Sequence, residues 1–526
     1  MKSDDLFDAI GNVDSDMILN AKSPPKKKVF YKKTAWISAI AAIFVISGML
    51  GGFLLLGSQK DIPQVPTTTA FETTITDSPE TSKTVLTESP ATTPTTLITC
   101  PPETTEVNYL AHALAAALYP DEILYPSDDL GFADYDKQHT AWSEHGTIKN
   151  QAYTELDVDI EAFLYASIGE FLSHKDGENI VFSPLNVYMA FAMLAEITDN
   201  NSRQQILDVL GCDNIETLRK EASALWLSNY SDDGLVTSIL SSSVWLSDRY
   251  SYKQETLQQL ANIYYASSFS GEMGSEKYNK ALQTWLNDQT GGLLKDSAET
   301  IEMEPETIMA LATTIYFKAA WSDFFSKENN QEGIFHAANG DVVCEFMNQS
   351  IRANCYYGEK FIAVPKALGL EYQSTMWLIL PNEGISPEDL LTDEEAMFFL
   401  TTNQKQKKTK DTIVKLSLPK FDISSKLDLR DSMKNLGITD VFDSILSDFS
   451  PMTSDRNDII VASADHSARV TINEEGCTAA AFSDVMNTPD SFTPLEINFT
   501  LDRPFLFVIT SDVGLPLFVG TVNQPQ

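Results

Sequence analysis

Side chains able to do chemistry are few in this 526-residue chain, and they are scattered. There are 6 histidines and 5 cysteines (Cys100, Cys212, Cys344, Cys355 and Cys477). No Cys-x-x-Cys or His-Glu-x-x-His spacing gathers them into a metal set, and no Gly-x-Ser-x-Gly elbow, phosphate loop or dinucleotide fingerprint is present. Cys477 with His466 is the one pair that invites a thiol-and-base reading. The two lie eleven residues apart along a segment that reads as a strand, with nothing nearby to suggest an oxyanion hole. The residues therefore predict no catalytic residue, no metal and no cofactor: not an enzyme. An odd cysteine count suits free or buried thiols. A Cys344–Cys355 bridge requires their Cα atoms to approach, which spacing alone does not establish.

The chemistry the chain does offer is that of a substrate segment. From Ile472 to Phe505 about twenty residues without a helical stripe join two strand patterns, and a loop that long in a compact domain usually carries function. The strand before it alternates Ala468, Val470 and Ile472 with Arg469, Thr471 and Asn473. Inside the loop Cys477, Ala479, Ala481 and Ser483 are all small and occupy alternate positions. One face of the segment can thus enter a packed sheet without overfilling it. Phe482 falls on the other face, and Pro489 comes only near the end. The loop is written as a latent strand.

Strands able to receive it are visible upstream. β-branched and aromatic residues mark buried strands over Ser238–Leu246 and Thr307–Phe317, with helical patterns between them at Lys253–Ala266 and Glu276–Gln289. Ile160, Phe163, Leu164, Ile168, Phe171 and Leu172 fall on one helical face, and Ser183-Pro184 signals the start of a helix apolar on nearly all sides. Long strands and helices without a βαβ rhythm predict an α+β fold.

Composition adds a net charge of −37 and a pI near 4.4, which repels polyanions and excludes nucleic acid as a partner. Residues 1–33 are polar and end in six lysines between Lys22 and Lys33, predicting a cytoplasmic segment. Residues 34–57 carry no charge, and about 20 apolar residues suffice to span a bilayer, so a transmembrane helix is expected there. The lysines before it, against Lys60 alone close behind, place the rest of the chain outside the cell. A cleaved signal peptide is the alternative, but leader and apolar run are long for one and no A-x-A site follows. Residues 58–106 are rich in Thr, Pro and Ser and predict a disordered stalk. Within 107–156, VNYLAHALAAALYP suggests a short helix, and the acidic, aromatic run after it reads as an extension packed on the domain that occupies 157–526, with a separate binding site as the alternative.

The loop, with Glu474, Glu475, Gly476, Cys477, Thr478, Ala479, Ala480 and Ala481 at its start, resembles the hinge and reactive-centre loop of the serpins. The resemblance extends to FSPLNVYMAFAMLAEIT, TIMALATTIYFKAAW, KLSLPKFDISSKLDLRDSMKNLGITDVF and the closing RPFLFVITSDVGLPLFVGTVNQP, in family order. It implies the serpin fold: a large, mainly antiparallel central sheet, further sheets, surrounding helices and an exposed loop. It implies also that Ser183, Asn186, Thr313 and His466 belong to the shutter, where the central sheet opens, and that Trp321 lies under the breach, where the loop first enters. Asn186 and Thr313 depart from the family's usual serine and asparagine.

The activity implied is suicide inhibition of a serine or cysteine protease through a covalent acyl complex, by a monomer tethered to the cell membrane by one helix. A serpin-fold binding or adhesion module that does not inhibit is the second reading, and the small hinge residues argue against it. The family's spacing from Gly476 places the reactive bond at Asp490–Ser491. Counting back from Pro504 gives Thr493–Pro494 instead, where proline would resist most serine proteases; cleavage after Phe492 or Met486, favouring chymotrypsin-like pockets, is the fallback.

Overall fold

A computed structural model of the chain describes residues 108–127, 129–156, 158–173, 177–294, 298–369, 374–402, 408–477 and 494–525. Their core is a sandwich of sheets with helices, and the sequence patterns explain its parts. The central sheet has eight strands: β1 (Ala113–Ala115), β3 (Ser231–Asp232), β4 (Val236–Ser247), β5 (Ala266–Gly271), β6 (Met309–Ala320), β12 (Phe421–Asp428), β13 (Ser463–Asn473) and β14 (Gly476–Cys477). Their order is β1-β5-β4-β6-β14-β13-β12, with β3 paired to β4. A nine-stranded sheet runs β15 (Leu495–Thr500), β11 (Thr409–Pro419), β8 (Gly340–Tyr357), β9 (Phe361–Leu368), β10 (Ser374–Pro381), β16 (Phe505–Thr510), β17 (Pro516–Val522) and β2 (Ile180–Phe182), with β7 (Gln331–Ala337) paired to β8. Strands 12 residues long, β4 and β6, form where the β-branched runs predict them. Pro504 falls between β15 and β16, where a residue without an N–H costs no ladder bond.

Helix α1 (Phe132–Leu156) belongs to the N-terminal extension, and α2 (Glu161–Leu172), α3 (Pro184–Ile197), α4 (Asn200–Leu210) and α5 (Ile215–Asn229) follow. Ser183 caps α3 by accepting from the Asn186 N–H, Pro184 occupies its first turn, and all its residues are buried. This is the all-round apolar helix the sequence predicts.

The extension corrects one expectation. VNYLAHALAAALYP is not a helix: a 3₁₀ turn at Tyr109–His112 leads into β1, which pairs antiparallel with β5 at the edge of the central sheet. The alanines favour helix, but an edge strand offers unpaired backbone groups, and tertiary pairing overrides a weak propensity. Farther on, α1 lies against the body of the domain, with Trp142 Nε1 donating to Asp233 Oδ2 at 2.8 Å.

Cys344 and Cys355 are both free thiols on the single strand β8. Eleven residues of strand separate them by roughly 36 Å, which no disulfide spans. Among the described residues no helix is long and apolar enough to cross a membrane. Residues 1–33, 34–57 and 58–106 lie outside them.

Candidate functional site

The central sheet has one parallel seam in its middle. β13 and β6 run parallel and pair directly from Ser463↔Ala310 to Ser467↔Thr314. Higher up they diverge, and β14 lies between them, antiparallel to both: Cys477 pairs with Ile472 and Ala319, Gly476 with Asn473 and Ala320. The first two residues after the Glu474-Glu475 turn are therefore already a strand of the sheet. Cys477 is buried, as its size permits, and burial pushes its thiol up to about 12. His466 pairs with Thr313 at the lower seam, roughly 20 Å from the level of Cys477 along β13. These two side chains do not meet as nucleophile and base.

A dense set of contacts holds the hinge. Gly476 has φ +137, and a Cβ there would lie 2.5 Å from the Ala319 carbonyl oxygen, so glycine is required for both conformation and space. Trp321 N donates to the Glu475 carbonyl at 3.1 Å and Phe325 N to the Glu474 carbonyl at 3.2 Å. Asn473 Oδ1 accepts from the Glu475 and Gly476 N–H groups. The Glu474 carboxylate accepts from Asn330 Nδ2 at 2.6 Å and pairs with Lys420 at 2.7 Å. Burial alone would raise that carboxyl, but Lys420 and Asn330 outweigh it and hold it below the ordinary range. Glu475, by contrast, pairs with the exposed Lys327, at 3.3 Å. Under the hinge Trp321 is fully buried and donates Nε1 to the Asn473 carbonyl at 2.9 Å.

Lys366 is the residue sequence reasoning missed. Only 4% exposed, it donates to the Asp323 carbonyl and to Gln349 Oε1, each at 2.7 Å, with its ammonium 4.5 Å from the Phe325 ring centroid and 5.2 Å from that of Trp321. Burial lowers its pKa to about 8. A signal was present: in FIAVPKAL, Lys366 shares the strand face of Val364 and Leu368, an anomalous place for a charge.

At the lower seam three of the four expected shutter residues meet. His466 is fully buried; its Nε2 accepts the Ser183 N–H at 3.1 Å, and its Nδ1 lies 2.8 Å from Thr313 Oγ1. An Nε2 that accepts a backbone N–H leaves the proton of the neutral ring on Nδ1, so Nδ1 donates to Thr313. Burial lowers the imidazole pKa to about 3. Asn186 does not join: it is fully buried, and neither its amide oxygen nor its amide nitrogen has a hydrogen-bond partner among the described residues. Thr478, Ala479, Ala480, Ala481, Asp490 and Ser491 lie outside the described residues.

A central sheet into which the first two residues after the hinge are already paired, together with a second large sheet and the helices, defines the class of fold. Comparison with known proteins identifies it. The family model described as serpin (serine protease inhibitor) matches residues 161–525, and the chain belongs to the serpin family. It is 26% identical over 369 residues to human antithrombin-III, covering 67% of this chain and 78% of that protein. With Serpin-ZX of Arabidopsis thaliana it is 26% identical over 371 residues, covering 67% and 93%. Among solved structures it is similar to the thermophilic serpin tengpin in the native state, with a TM-score of 0.63, 26% identity and coverage of 70% of this chain and 93% of that one. Its likeness to thyroxine-binding globulin, at 21% identity and a TM-score of 0.62 with 70% and 98% covered, is one of fold.

Proposed function

We propose that this serpin is an extracellular, membrane-tethered suicide substrate for serine or cysteine peptidases. The observation that carries the reading is β14: a buried, small Cys477 seated between β6 and β13, with Gly476 the only residue type that fits beside it. A protease that cleaves the loop as substrate becomes acylated, and the loop's N-terminal part continues the strand that β14 begins. From Cys477 to Asp490 that strand would reach about 46 Å at roughly 3.3 Å per residue. Displacement on that scale is far more than an active site tolerates. Asp490 as the specificity residue selects proteases with a positively charged pocket, because an unpaired buried carboxylate is costly.

The test is to incubate the chain with a panel of proteases and look for a complex that survives boiling in detergent. Ala481→Arg, which would bring an unpaired charge into the sheet, is expected to be cleaved without forming it. Cleavage without a complex across the panel favours the non-inhibitory binding module instead. The N-terminus of the C-terminal fragment reads the reactive bond: Ser491 supports the assignment, and Thr493 or Asn487 sinks it. For the tether, an impermeant reagent should label a cysteine introduced near Ser89 in intact cells; labelling only after lysis refutes the topology.

A further inference from the structure

Beneath α1 lies a partly open cavity of about 330 Å³, bordered by the end of α5, the start of β4 and the turn between β16 and β17. Three of the polar atoms that lack a hydrogen-bond partner among the described residues belong to residues lining this space: Asn229 Oδ1, Ser238 Oγ and Ser511 Oγ. Asn229, Ser238 and Ser511 are 3%, 3% and 8% exposed, so bulk water does not satisfy them. A buried polar atom without a partner costs about 1–3 kcal/mol, and so many around one space point to an occupant. The size falls at the lower end of the roughly 300–1,000 Å³ typical of small-molecule sites.

The charged groups define what fits. Glu122, Asp233 and Asp512 face the space with Lys149, an excess of negative charge that disfavours an anion. Nor does a cation find an unanswered carboxylate. Glu122 receives Lys149 at 2.8 Å, with His145 3.6 Å away; Asp233 accepts from Trp142 and from the Leu235 and Val236 N–H groups; Asp512 accepts from Asn150 and the Val513 N–H. Lys149 in turn also donates to the Tyr230 carbonyl. What remains unanswered is two hydroxyls and an amide oxygen, all uncharged. An apolar molecule would leave them stripped of water.

We propose that this cavity binds a neutral, hydroxyl-rich small molecule of sugar or polyol type, whose hydroxyls both donate and accept. The occupant sits beside the hinge: Ser238 pairs with Phe317 on β6 and the neighbouring Val236 with Ala319, the residue opposite Cys477.

The experiment uses the full chain and equilibrium titration calorimetry with glucose, galactose, N-acetylglucosamine and myo-inositol as probes, and putrescine and inorganic phosphate as charged controls. Saturable heat is the readout, because polyols at high concentration stabilise proteins by exclusion without binding. The expected result is saturable binding of at least one neutral probe, weakened about tenfold or more in Ser238→Ala/Ser511→Ala, and no binding of either charged control. Should the double variant not fold, Ser511→Ala alone is expected to weaken binding measurably. The proposal is overturned if no neutral probe saturates, if the hydroxyl deletions leave affinity unchanged, or if putrescine or phosphate binds instead.

Discussion

At the scale of the residue, His466 decides most. Its Nε2 faces a backbone N–H, so a second proton would set donor against donor in a fully buried site. The folded pKa, about 3, lies below the ordinary 6.5, so the unfolded chain takes the proton first. The contribution of neutral His466 is therefore complete above about pH 6.5 and is lost as pH falls towards 3, by up to about 1.4 kcal/mol per pH unit. His466→Gln, which keeps an acceptor and a donor but does not titrate, should show a smaller drop in unfolding midpoint between pH 7 and pH 5 than the parent. Equal drops would count against the assignment. Asn186 gives a second expectation. Its unpartnered amide costs stability, so Asn186→Ser should raise the denaturant midpoint by an amount equivalent to about 1 kcal/mol or more; a lowered midpoint would mean that the amide is satisfied after all. Sequence resemblance pointed to both residues as one network, yet only His466 makes the bonds. One-dimensional matching gives position, and a shutter bond depends on the rotamer that packing allows.

At the scale of the element, β14 is a strand of two residues whose sequence makes it extendable. The alternation of small residues was legible because size and period suffice to read it. How far the strand has already entered was not legible, since that depends on the contacts of Glu474 with Lys420 and Asn330, brought together from distant parts of the chain. The same limit explains the N-terminal error: alanine content speaks for helix, and nothing local announces that the β5 edge is waiting. Cys477→Glu tests the element. A carboxylate between Ile472 and Ala319 would be buried without a partner, so the variant should lose β14 from the sheet and become a substrate, while Cys477→Ser should still form complex. Amide exchange at Trp321, whose N–H the hinge carbonyl holds, reports the expulsion: faster exchange is expected in the glutamate variant, and unchanged exchange would mean that the strand tolerates the charge.

At the scale of the whole molecule, the middle of the sheet is divided by the parallel pairing of two long strands, β6 and β13; the other parallel pair, β4 with β5, lies towards the edge. β4 pairs antiparallel with β6 and β12 with β13, whereas β6 and β13 meet in parallel over five residue pairs. Parallel ladders are slightly the weaker kind, and an inserted strand antiparallel to both neighbours replaces one such ladder with two of the stronger. In the proposed mechanism a loop cut within 478–493 would gain that exchange, but only by moving β6 and β13 from about 4.8 to roughly 9.6 Å apart. Two side-chain bonds cross the seam and resist the movement: Thr313 with His466, and Thr314 Oγ1 to the Ser467 carbonyl at 3.0 Å. Thr313→Val keeps the shape and removes the first, leaving the His466 Nδ1–H buried without its acceptor at a cost of about 1–3 kcal/mol. The intact protein should therefore unfold at a lower denaturant concentration than the parent. If the cleaved loop inserts as proposed, the seam would be parted, Thr313 and His466 would be too far apart to bond in either version, and the midpoints should agree. Denaturation curves of four samples, parent and variant, each intact and cleaved, check this. Equal destabilisation of both forms would show that cleavage leaves the seam closed, and the sheet would then not be the acceptor of the loop.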